Sequence, residues 1–169
     1  MPLSDHLIAQ LDAELASSRR VIERIPASMM EWQPHEKSFD TRELAAHIAN
    51  LVAWGGMIAS TDGIDFASEE MRNWKPEKPD TVEGILELLA ATGDRVKGLL
   101  EGMSDADLQK DWVMRSGDQV FSAASRLDQF SKWVISHQSH HRGQLTVYLR
   151  LNDVAVPGIF GPSADEGQM

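Results

Sequence analysis

"FSKWVISHQSHHRGQLTVYL", Phe130 to Leu149, decides the fold. It holds no proline and a single glycine. At about 100° per residue, His137 and His141 fall on one side with Phe130, Val134 and Tyr148, the pattern of a helix with one apolar face. His140 lies about 100° from His141, toward the Trp133 side. Three of the chain's six histidines thus crowd into five positions. The helix is expected from about Ser122 to Leu151, where Asn152 and Asp153 end it. Gly143 is its weak position, costing about 1 kcal/mol against Ala unless close packing requires it.

Outward from this segment the same periodicity recurs. One helix is expected from about Ser4 to Arg24, with Leu7, Leu11, Leu15, Val21 and Ile22 apolar and Pro26 as its stop. After the loop "WQPHEKSFD", Asp40 and Glu43 have capping-box spacing, which starts a second helix near Thr41 and carries it to about Ser60. The long loop "TDGIDFASEEMRNWKPEKPD" has room for a short helical turn. A third helix follows Asp80 or Thr81, with Ile85, Leu88, Leu89, Val96 and Leu99 on its apolar side. "SDADLQKDW" reads as a helical turn, and the tail "VAVPGIFGPSADEGQM" as irregular. No stretch alternates long enough for a substantial sheet. The expected architecture is all-α, a four-helix bundle in a single domain spanning residues 1–169.

Composition narrows the function. The 169 residues carry a formal net charge of -10, which opposes a broad electrostatic grip on nucleic acid. No apolar run approaches 18 residues and the start is acidic, so neither a membrane span nor a signal peptide is expected, and the reading is cytoplasmic. The chain has no cysteine, which excludes disulfides, thiolate metal sites and a cysteine nucleophile. Any thiol must come from outside.

On the second helix, His47 falls among Leu44, Leu51 and Ile58, with Trp54 to one side, so it too faces the core. Three imidazoles from two helices therefore point inward and need partners for their nitrogens. A divalent metal supplies one partner to all three, and an HxxxH pair presents two nitrogens to one ion. Three protein ligands leave a coordination position free, as catalytic sites do. Histidines satisfied by ordinary core hydrogen bonds are the competing reading.

"WQPHEKSFDTRELAAHIAN" (32–50) and "HQSHHRGQLTVYLRLNDVAVPGIFGPSADE" (137–166) together resemble the DinB superfamily, the DinB/YfiT-like four-helix-bundle metalloenzymes. The resemblance covers nearly the whole chain. It implies a metal triad at His47, His137 and His141, the three that the helical faces select. It further implies a transferase acting with a low-molecular-weight thiol, and a homodimer. Zinc, nickel and iron all accept three imidazoles.

In such an enzyme the metal lowers the thiol pKa and aligns sulfur for attack on a small-molecule electrophile. Hydrolysis by activated water is the nearest variant, and a non-catalytic metal-binding stress-response protein is the alternative from another class. Glu43 reads either as a proton carrier one turn before His47 or as the capping partner of Asp40. Arg142 either anchors an anionic substrate group or pairs with a carboxylate. Asp165 and Glu166 close a tail that is solvated or folds back toward the site. None of the five tryptophans is singled out.

Overall fold

In the computed structural model, which describes residues 1–167, the apolar spacing resolves into four long helical runs around one hydrophobic core. Helix α1 (Leu3–Ile22) buries Leu7, Leu11, Val21 and Ile22. Helix α2 (Thr41–Ser60) starts where the Asp40 carboxylate accepts the Glu43 backbone N–H at 2.7 Å, a side-chain cap. Strand β1 (Gly63–Asp65) and the short helix α3 (Glu69–Asn73) occupy the following loop. Helix α4 (Val82–Glu101) is capped by Thr81 and buries Ile85, Leu89, Val96 and Leu100. Leu99, expected on that face, is instead exposed. Leu15 of α1 nests on Gly93 of α4, where an added Cβ would stand 2.6 Å from Leu15 Cδ1.

The all-α expectation is corrected by a small sheet. After helix α5 (Asp105–Leu108), strand β2 (Asp111–Ser116) pairs in parallel with β1 and antiparallel with β3 (Gln119–Ser125), in the order β1-β2-β3. Only Trp112 and Met114 alternate inward on β2, too short a period to stand out in the sequence. Gly117, at φ +56°, makes the tight return from β2 to β3. The last helix therefore begins at Arg126 rather than Ser122.

That last run comprises α6 (Arg126–Phe130), a π-helical segment (Ser131–Ser136) and α7 (His137–Leu151). Phe130, Val134, Gln138 and Arg142 are all buried at intervals of four residues. In a regular α-helix each such step overshoots a full turn by about 40°, and the stripe would leave the core. The wider π turn absorbs the excess. The histidines are displaced as a result: His137 and His141 stand half-buried beside this stripe, not within it as expected.

The tail folds back on the bundle. Glu166 bridges Arg20 of α1 and Arg24, just past the end of that helix, at 2.8 and 2.6 Å, and Asp165 pairs with Arg150 of α7. These carboxylates go to arginines and not to the histidines. Among the described residues no helix is long and apolar enough to cross a membrane.

Candidate metal centre

Helix α2 supplies His47, and α7 supplies His137 and His141 one turn apart. One ring nitrogen from each lies within 4.8 Å of the other two. The His47 ring centroid is 4.5 Å from that of His141 and 5.6 Å from that of His137. His137 Nε2 and His141 Nε2 approach to 2.9 Å, so both rings turn the same atom toward one point. Donors around a tetrahedral ion at about 2.0–2.1 Å stand about 3.3 Å apart, within the range these nitrogens span.

A hydrogen bond fixes the tautomer of one ring. His141 Nδ1 donates to Gln144 Oε1 at 2.7 Å, so Nε2 is left with its lone pair toward the cluster. Gln144 lies three residues on, the spacing at which helix side chains meet. In the sequence it also closes the "HHRGQ" block. Behind the cluster, buried Gln138 donates from Nε2 to the Ile48 carbonyl at 3.3 Å and ties α7 to α2 beside His137 and His47.

The electrostatics favour neutral imidazole. Burial, then the neighbouring His141 and His137, push the His47 pKa down to about 4. Burial also lowers His137, with His141 and His140 adding to the effect. His141 is lowered by burial against the opposing Gln144 bond. Near neutral pH these rings therefore present lone pairs, the form a divalent cation binds. The donor set fits such an ion.

The remaining candidates separate. His140 is exposed, its ring 4.9 Å from that of His141, a neighbour of the cluster. Glu43 takes part in only half of a capping box: its backbone is capped by Asp40, but its carboxylate goes to Lys78 Nζ at 3.3 Å. Arg142 is drawn away from the histidines. Its buried guanidinium pairs with Glu14 of α1 and donates to Ser139 Oγ at 3.2 Å. Aromatic rings flank the cluster, with Phe39 5.6 Å from His47 and Trp133 6.0 Å from His137 by centroid. Trp54 stacks on Trp133 at 6.4 Å.

A family profile described as DinB family matches residues 1–168. The protein YrdA of Bacillus subtilis (strain 168) is 53% identical over 167 residues, covering 96% of this chain and 90% of its own. Among solved structures, a DinB-like protein from Bacillus cereus ATCC 10987 superposes with a TM-score of 0.69 at 19% identity, over 92% of this chain and 97% of that one. YfiT from Bacillus subtilis superposes with a TM-score of 0.68 at 16% identity, over 90% and 89%. YfiT is described as a probable metal-dependent hydrolase with an unusual four-helix bundle topology. At such identities the two structures speak to the fold.

Proposed function

The chain belongs to the DinB family, and from that premise we propose that it is a metal-dependent enzyme whose divalent ion is held by His47, His137 and His141. The observation that carries this is the convergence of three imidazole nitrogens within 4.8 Å, with His141 locked by Gln144 in the ligating tautomer. Zinc, nickel or iron at this position would supply a Lewis acid that lowers the pKa of a thiol or water.

The chain's own residues do the rest. The triad would hold the ion, and Gln144 keeps His141 from rotating away. To the Glu43 carboxylate, one turn before His47 and paired with Lys78, we assign the uptake of a proton. Arg142 serves by position, joining α1 to α7 through Glu14.

The preferred reaction is transfer to a low-molecular-weight thiol. With no cysteine in the chain, the sulfur nucleophile of such a transfer would come from outside. Hydrolysis is the second reading, and the description of YfiT favours it.

Elemental mass spectrometry on untagged protein tests the centre. About one divalent ion per chain, lost when His47, His137 and His141 are all changed to Ala, is the expected result. An ion retained by the triple variant, or none taken up from zinc, nickel or iron, refutes the centre. Thiol consumption across a panel of electrophiles, set against release of p-nitrophenol from its esters, then separates transferase from hydrolase.

A further inference from the structure

His47 has a second neighbourhood. It lines a pocket of about 190 Å³ together with Phe39 and Ala46 on one wall and Pro76 on the other. That volume is below the roughly 300–1,000 Å³ of sites for drug-sized ligands, so the pocket suits one substituent rather than a whole cofactor.

Both walls are held in place. Asn50, buried on α2, clamps the backbone of Glu77, donating to its carbonyl at 2.8 Å and accepting its N–H at 3.1 Å. The Pro-flanked segment 76–79 is thereby fixed against the helix. On the other side, the Tyr148 hydroxyl donates to the Phe39 carbonyl at 3.1 Å, and the Phe39 ring lies against His47. The pocket is preformed, and its apolar wall is continuous with a metal-ligand candidate.

Its charges indicate what it takes. Two cations line it, but Arg42 is already paired with Asp80 at 2.6 Å and Lys78 with Glu43 at 3.3 Å. Glu77 adds a further carboxylate to the lining residues. An anionic substituent would compete with Asp80 and Glu43 for these cations and meet the Glu43 and Glu77 carboxylates beside them. An uncharged apolar one fills the space against Phe39, Ala46 and Pro76 and displaces only water.

We propose that this pocket receives an uncharged alkyl or aryl group of the substrate, seated beside His47 while the reacting end of the same molecule lies at the three histidines. The proposal rests on the metal-centre reading and adds the substrate class to it.

The test uses zinc-loaded protein and calorimetric titration with acetohydroxamic and benzohydroxamic acids, which share one chelating head and differ in the apolar group. Benzohydroxamate is expected to bind about tenfold tighter, from burial and ring contacts. Ala46→Leu fills the pocket and should bring the two affinities within about threefold without changing zinc uptake. Should Ala46→Leu disturb the packing of α2, Phe39→Ala removes the aromatic part of the same wall and should narrow the preference as well. Equal affinities in the wild type, or a preference that survives both variants, overturn the proposal. Failure to take up zinc, read by elemental analysis, would overturn the metal-centre reading and this proposal with it, and is thus distinct from equal affinities.

Discussion

Replacing Glu14 with Leu tests where Arg142 acts. The Arg142 and Glu14 side chains are 3% and 12% exposed, and the pair joins α1 to α7. Without Glu14 the guanidinium keeps Ser139 Oγ at 3.2 Å, Ser18 Oγ at 3.4 Å and the face of the Phe160 ring at 5.7 Å, none of which carries a charge to balance its own. A guanidinium does not shed its proton to escape burial. Breaking a buried pair from one side costs about 3–5 kcal/mol, whereas removing both charges is often nearly neutral. Glu14→Leu should therefore lower stability by about 3 kcal/mol, or roughly 6–12 °C in Tm for a chain of this size. Glu14→Leu combined with Arg142→Met should regain most of that loss, giving a coupling energy of about 2 kcal/mol or more. Urea unfolding of the four proteins measures the cycle, and metal content is read on each. A cost below about 1 kcal/mol for Glu14→Leu would refute the buried-pair argument. Loss of the metal from a stably folded double variant would place Arg142 in the site.

Three further predictions follow from the same geometry. Gln144→Leu removes the acceptor on His141 Nδ1 and should weaken zinc binding about 10–100-fold in a chelator competition assay, with unfolding midpoints unchanged. For metal-free protein, His47 titrates near 4 when folded and near its ordinary value of 6.5 when unfolded. The unfolded chain thus takes up a proton first as pH falls from 6.5 toward 4, and stability declines across that window by about 1–2 kcal/mol, discounted for the ring's partial exposure. Above pH 7 this contribution is flat, and urea midpoints of His47→Leu should fall less steeply across the window, leaving the part that His137 and His141, also lowered, supply. Two glycine substitutions should move Tm in opposite directions. An added Cβ at Gly143 meets nothing within 4 Å, so Gly143→Ala should stabilise the helix by about 1 kcal/mol. At Gly55 the Cβ would stand 2.7 Å from Phe130 Cε2 and 3.0 Å from Val96 Cγ1, so Gly55→Ala should cost about 1–3 kcal/mol.

Local chemistry was legible in the sequence because it is decided by neighbours along the chain. The Asp40 cap, the start of α4 behind Thr81, the turn at Ser104 and the pairing of His137 with His141 all depend on spacings of three or four residues. His47 could be added because its helix has one clear apolar face. What spacing could not supply was any quantity set by packing between helices. The π-helical segment exists because the stripe from Phe130 to Arg142 must stay on the core, and it moves the histidines from the interior to its half-buried margin. Arg142 and His141 are adjacent in sequence, yet one pairs with Glu14 across the bundle and the other faces His47. The short strands formed only once residues as distant as Gly63 and Val113 were brought side by side. The tail's carboxylates found Arg20, Arg24 and Arg150 in the same way. Spacing along the chain was enough to read the four long helical runs, the Asp40 and Thr81 caps and which three histidines would meet. The tertiary structure decided which way each side chain turned, since that depends on residues far apart in the chain and adjacent only after folding.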